Sequence, residues 1–88
     1  MAAPETQIRV TVNFFSFFKE LTGCAVWAHS VPAGTTLAQL VDLAGTRFPR
    51  VEPMKRSMLV AVGVEYQERW YVLKDKDEVS LFPPVQGG

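Results

Sequence analysis

The chemistry this chain can offer is concentrated in its last six residues. Pro83-Pro84-Val85-Gln86-Gly87-Gly88 joins a diproline to a terminal pair of glycines. The prolines fix φ and push Phe82 and Pro83 toward extended backbone, so this segment is expected to project from the domain and not fold back on it. Gly87 and Gly88 carry no side chains and could enter a channel too narrow for any Cβ. The group delivered there would be the Gly88 carboxylate. A carboxylate is a poor electrophile, so a second enzyme would have to activate it, for instance with ATP as a mixed anhydride with AMP. Taken alone, two terminal glycines are equally the composition of a frayed chain end.

Elsewhere the inventory is thin. A nucleophilic site needs a nucleophile, a base and an orienting group within reach of one another. The one cysteine, Cys24, and the one histidine, His29, are five residues apart on what reads as a strand and its lead-in. An odd separation on a strand puts them on opposite faces. Glu65 and Glu68, and the trio Asp75, Asp77 and Glu78, read as a solvated turn and strand edge, because nothing apolar nearby would raise a carboxyl pKa. Pro32-Ala33-Gly34-Thr35-Thr36 has one glycine and is no phosphate loop. A lone cysteine forms neither an internal disulfide nor a thiolate cluster. No metal and no bound cofactor are expected.

The chain has 88 residues, 48% of them hydrophobic and 20% charged, which suits one small folded domain of modest stability. Nine Lys and Arg balance nine Asp and Glu. That leaves no positive field to hold a phosphate backbone, so nucleic acid is not an expected ligand. No apolar stretch is long enough to span a bilayer as a helix, and no membrane role is expected. Met1 to Thr6 has neither a basic start nor an apolar core, so no signal peptide is expected and the cytoplasm is the expected location.

Seven short elements must position the tail. Ile8, Val10, Val12 and Phe14 alternate with Arg9, Thr11 and Asn13, the pattern of a half-buried strand over 7–15. Phe17, Phe18 and Leu21 predict one helical turn closed by Gly23. Ala25 to Val31 predicts a second strand ended by Pro32-Ala33-Gly34. Thr35 or Thr36 can cap a helix whose stripe is Leu37, Leu40, Val41, Ala44 and Phe48, stopped by Pro49. Pro49 to Ser57 reads as an exposed connection with little regular structure. Leu59 to Val64 reads as a strand buried on both faces and central in the sheet. Tyr71-Val72-Leu73 is a short extended segment, and after the turn Lys74-Asp75-Lys76-Asp77 comes a last strand, Glu78 to Phe82. The order predicts an α+β fold with a mixed sheet of about four to five strands and one main helix on one face. Residues 1–82 form the domain and 83–88 its extended tail.

The ending from Asp75 to Gly88 closely resembles that of the small-subunit family of molybdopterin synthase, ubiquitin-like β-grasp sulfur carriers. Val12-Asn13-Phe14-Phe15 and Phe18-Lys19-Glu20-Leu21-Thr22-Gly23 are similar to the family's first strand and following turn; with Thr35 to Phe48 as the helix and Leu59 to Val64 as a middle strand, the resemblance covers nearly the whole chain. It implies that Gly88 is adenylated by an E1-like activating enzyme, using ATP, and becomes a thiocarboxylate. That group would donate sulfur inside the large synthase subunit, building the molybdopterin dithiolene from cyclic pyranopterin monophosphate. Pro83, Pro84, Val85, Gln86 and Gly87 would be the inserted tail. Two positions depart from the family pattern. Its turn usually reads Asp-Gly-Asp-Glu, whereas Lys76 stands here for the glycine and implies another turn type or strain. Gly63 stands where an Asn is common.

Six Phe, two Trp and two Tyr are more than one inner sheet face can hide. Phe15 and Phe82 have the parity opposite to the buried residues of their strands. With Trp27 they are expected to form an apolar patch beside the tail that docks on the large subunit. Phe17 and Phe18 could instead pack in a second small core. Arg47, Arg50, Lys55 and Arg56 are expected to make a basic surface, chiefly a solvated one. Alternative readings are a sulfur carrier for thiazole synthesis, tRNA thiolation or cysteine synthesis, a ubiquitin-like protein modifier, and a plain interaction module. The diproline is typical of the molybdopterin branch.

Overall fold

The computed structural model describes residues 6–15 and 17–83. Strand β1 (Gln7–Phe14) leads through a short helix α1 (Phe17–Thr22) to β2 (Val26–Pro32). Helix α2 (Leu37–Arg47) is followed by a 3-10 helix (Pro49–Met54), then by β3 (Leu59–Val62), β4 (Glu65–Tyr66) and β5 (Glu78–Phe82). The five strands lie in the order β2-β1-β5-β3-β4. β1 and β5 are parallel and every other pair is antiparallel. This is the mixed sheet with one main helix expected of a β-grasp.

The core follows from the alternation in the strands. Ile8, Val10, Val12 and Phe14 of β1, Val31 of β2, and Val79 and Leu81 of β5 are buried on the inner face. The helix stripe Leu37, Leu40, Val41, Ala44 and Phe48 is buried as well, and Phe14 meets Phe48 edge to face at 5.3 Å. Phe18 of α1 joins this same core and not a separate one. Gly23 closes α1 with a φ of +77°, the left-handed geometry that a helix end favours.

Helix α2 begins where a threonine and a distant segment satisfy its first amides together. Thr36 accepts from the Gln39 amide, while the Gln39 side chain accepts from the Thr36 amide, a capping box. The Leu37 amide donates to the Tyr71 carbonyl and the Ala38 amide to the Arg69 carbonyl, both at 2.9 Å. Thus a segment some thirty residues further on caps the helix, and the Val72–Thr36 bridge holds it there.

Three expectations are corrected. Pro49 to Ser57 is not irregular: Pro49 opens a 3-10 helix, and Val51 within it is fully buried against the core. β3 ends at Val62, and the central strand is β5. Gly63 lies in the two-residue turn between β3 and β4 with a φ of +61°, so it stands in a turn and not in a strand. An Asn at that place would also tolerate a left-handed backbone. β4 itself was not foreseen.

The side chain of Arg69 ties these late segments together. Its Nη2 donates to the Lys55 carbonyl at 3.0 Å and the Met58 carbonyl at 2.8 Å, joining the end of the 3-10 helix to the segment that caps α2. Hydrogen bonds with a charged partner are worth about 1.5–3 kcal/mol. Replacing Arg69 by Ala is therefore expected to lower the unfolding free energy by about 2 kcal/mol. Urea denaturation checks it, with a lower midpoint at unchanged slope.

Candidate functional site

The described chain ends at Pro83, so the root of the tail is the end of β5, and its placement depends on the register of that strand. β5 lies between β1 and β3, with Val12 opposite Val79 and Phe14 opposite Leu81 on one side. On the other side Leu59 lies opposite Phe82 and Val60 opposite Leu81. A slip of one residue would bury Phe82 and expose Leu81. Pro84, Val85, Gln86, Gly87 and Gly88 lie outside the described residues.

The turn before β5 holds that register. The Asp77 carboxylate accepts from the Lys74 amide at 2.8 Å and from the Tyr71 hydroxyl at 3.1 Å, and the Asp77 carbonyl accepts from the Thr11 amide. Asp75 accepts from the Arg9 amide, and the Lys76 amide donates to the Arg9 carbonyl at 2.7 Å. Asp75 and Asp77 are thus staples of the turn and not merely solvated charges. Lys76 has a φ of +71°, the one described residue other than glycine in that region. The departure at this position therefore leaves a left-handed backbone in place and puts a side chain on it. Burial, and then the hydrogen bond to Asp77, push the Tyr71 phenol above its ordinary value of 10.0.

On the outer face, away from α2, the structure brings Phe15 and Phe82 together. Their rings stack at 4.9 Å with an interplanar angle of 11°. The Phe15 amide donates to the Leu81 carbonyl, which continues the β1–β5 ladder one residue past β1. Tyr66 of β4 meets Phe82 edge to face at 6.3 Å. Phe15 is 42% and Tyr66 69% exposed, so the three rings form an open aromatic cluster at the root of the tail. The sequence pattern does not mark Tyr66, because β4 has only two residues; the two-residue Gly63-Val64 turn is its one signal.

Trp27 is not part of that cluster. It pairs with Val12 across the sheet and so shares the inner face. There it meets Phe48 edge to face at 5.4 Å and stacks on His29 at 4.9 Å. Odd residues of β2 face inward while odd residues of β1 face outward, a relation that follows from a register the sequence alone does not supply. Cys24 is half-buried and hydrogen-bonded to Thr22, so it makes no pair with His29. Glu65 and Glu68 are exposed. The basic surface is partly neutralised, since Lys55 bridges Asp42 at 2.8 Å and Glu52 at 2.7 Å. Arg47 lies over the Phe48 ring. Among the described residues no three His, Cys, Asp or Glu side chains gather in a metal-binding group, and no helix is long and apolar enough to cross a membrane.

The family model described as the ThiS family matches residues 12–88. The chain belongs to the ThiS family. A Homo sapiens molybdopterin synthase sulfur carrier subunit is 32% identical over 83 residues, covering 91% of this chain and 94% of that protein. A chain of the Helicobacter pylori complex of subunits 1 and 2 of molybdopterin-converting factor superposes with a TM-score of 0.62 at 26% identity. That match covers 92% of this chain and all of the other. Small archaeal modifier protein 1 of Haloferax volcanii shares the fold, with a TM-score of 0.78 at 19% identity over 89% of this chain and 99% of its own.

Two predictions test how the tail root is held. Replacing Lys76 by Gly removes a left-handed side-chain penalty of about 1–2 kcal/mol and adds back chain entropy, for a net stabilisation of roughly 0.5–1 kcal/mol by urea unfolding. For Tyr71, the folded state holds the phenolic proton more tightly than the unfolded state. Its contribution is fully present below the unfolded value and is lost as pH rises through the raised folded value. Urea midpoints measured from about pH 9 to about pH 11.5 should fall, and fall less in Tyr71→Phe.

Proposed function

We propose that this chain is the sulfur-carrier subunit of a molybdopterin synthase, acting in the cytoplasm. What carries the reading is a family match that runs through residue 88, on a fold whose central strand β5 leads to the tail from an open aromatic cluster. The human relative named for that role matches over nearly its whole length. In this reading Gly88 is the reacting residue. Its carboxylate oxygen attacks the α-phosphorus of ATP on an E1-like enzyme, expelling pyrophosphate and leaving an acyl adenylate. A sulfur nucleophile then displaces AMP, and a thiocarboxylate results. Each thiocarboxylate donates one sulfur to cyclic pyranopterin monophosphate in the large subunit, water returning Gly88 to a carboxylate, and two carriers in turn supply the two sulfurs of the dithiolene. The carrier supplies no acid or base.

The rest of the domain positions the tail. In this reading Pro83, Pro84, Val85, Gln86 and Gly87 are the segment that inserts, the prolines restricting φ and Gly87 offering no Cβ to a narrow channel. The docking surface proposed for the large subunit is Phe15 and Phe82 with Tyr66, and Trp27 is left out because it packs on the inner face. Aromatic rings of this kind make strong anchors at the centre of an interface. The complex of subunits 1 and 2 from Helicobacter pylori supports a large-subunit partner.

Co-expression with an activating enzyme and a sulfur donor should give an intact mass raised by sulfur replacing one oxygen, mapped to Gly88. An unmodified carboxylate despite a competent activating enzyme would sink the carrier reading. Deleting Gly87 and Gly88 should abolish dithiolene formation with little change in melting temperature. Replacing Phe82 by Ala should weaken large-subunit binding by about ten-fold or more in a titration, while the domain stays folded. Unchanged affinity would remove the cluster from the interface.

A further inference from the structure

Among the described residues, the edge of the sheet opposite β4 carries nothing to stop another strand from pairing with it. β2 has seven residues against two in β4, and Val-Trp-Ala-His-Ser-Val-Pro contains no Lys, Arg, Asp or Glu. Exposed edges of this length are ordinarily blunted by charge, a bulge, an internal proline or a covering element. The one proline of β2 is its last residue.

The direction of the backbone groups follows from two bonds that flank the strand. The Ala25 carbonyl accepts from the Phe14 amide and the Ala33 amide donates to the Thr6 carbonyl, so odd-numbered residues here bond to β1. In an antiparallel ladder the even-numbered ones, Val26, Ala28 and Ser30, therefore turn N–H and C=O to the open edge. Their side chains are small and lie on the outer face. On the inner face Trp27 and His29 stack beside the same edge. Next to the end of β2 a groove of about 370 Å³ opens against α2, lined by Pro32, Thr35, Gln39 and Leu43.

We propose that β2 is a self-association edge, at which two copies of this chain pair antiparallel about a two-fold axis through Ala28. Ala28 then exchanges both of its bonds with Ala28 of the second copy, and Val26 does the same with Ser30. On the inner face Trp27 lies across from His29 of the second copy, so the two Trp–His stacks merge into one cluster of rings. This register uses every outward amide from Val26 to Ser30 and leaves Pro32, which has none, outside the ladder. A second copy is favoured over an unrelated peptide because the strand is complementary to itself when reversed. Small residues at 26, 28 and 30 meet small residues, and ring meets ring at 27 and 29. The strand is uncharged, and nine basic residues balance nine acidic ones over the whole chain, so copies do not repel. β1 separates β2 from β5, and the cluster of Phe15, Phe82 and Tyr66 stays open in the pair.

Backbone pairing over so short a strand gives a weak complex, in roughly the micromolar to millimolar range. Sedimentation of the full chain over that range should show a mass that rises to twice the monomer. In amide-resolved NMR, concentration-dependent shifts and slowed exchange should concentrate at Val26, Ala28 and Ser30. A mixed-label sample should give contacts between Trp27 and His29 of different copies. Replacing Ala28 by Lys sets two ammonium groups across the axis and should weaken the dimer by about ten-fold or more. Ala28→Pro deletes the outward donor without touching the β1 ladder and should do the same, and circular dichroism verifies that both variants fold. A monomer up to millimolar concentration overturns the proposal. So does a dimer of undiminished affinity in folded Ala28→Lys and Ala28→Pro, which would move the contact to the outer-face aromatic cluster.

Discussion

The parallel pairing of β1 with β5 joins the first described strand to the last, and the remaining structure depends on it. Parallel strands cannot be joined by a tight turn; they need a long crossover. Here the crossover holds β2, α2, the 3-10 helix and the β3–β4 hairpin. Val12 and Val79, opposite each other at the centre of that pair, are fully buried. The closure entropy of so long a loop is recovered only when the contacts around this pair form together. Three devices offset that cost at the ends of the crossover. The Asp77 carboxylate ties the last turn, the bonds between residues 9 and 75–76 align it with β1, and the carbonyls of Arg69 and Tyr71 cap α2.

That one register also divides the sheet into two chemically different faces. On the inner face, alternate residues of β1 and β5 build the core with the stripe of α2. On the outer face the next residue along each strand, Phe15 and Phe82, falls into a stacked pair. The same alternation that stabilises the domain thus presents two large rings to solvent at the place where the tail departs. Burying an apolar ring stabilises by about 1.5–3 kcal/mol, and the portion of these rings left exposed is available to a partner. In the function proposed above, where the terminal carboxylate is the reacting group, such an anchor matters more than an internal site.

Much of this was legible in the sequence, for reasons that differ from element to element. β1 and β5 alternate strictly, and α2 combines a threonine cap with a clean stripe, so each announces itself within its own residues. The positions of Phe15 and Phe82 followed from parity alone. The 3-10 helix was not legible, because Pro-Arg-Val-Glu-Pro-Met carries turn residues and one apolar residue, and only the folded core shows that Val51 is its anchor. β4 was hidden by its length. The sequence pattern puts Trp27 beside Phe15 on the outer face, whereas it lies on the inner one, because parity within β2 is meaningless until its register against β1, with Asn13 pairing with Val26, is known. The tail lies outside the described residues, and its reading comes from composition and from the family.

The two edges of the sheet differ as much as its two faces. β4 is two residues long and leaves few unpaired groups, while Gly63 turns the chain sharply back at that end. β2 is longer and uncharged, so it keeps its outward amides free to a strand that meets them. An unprotected edge persists only where the pairing it invites is harmless or useful. Here the geometry separates the two kinds of contact. Addition of a strand at β2 extends the sheet sideways, whereas the docking surface proposed for the large subunit, Phe15, Phe82 and Tyr66, lies on the outer face. With β1 standing between β2 and β5, contact at one site does not require the other to be vacated.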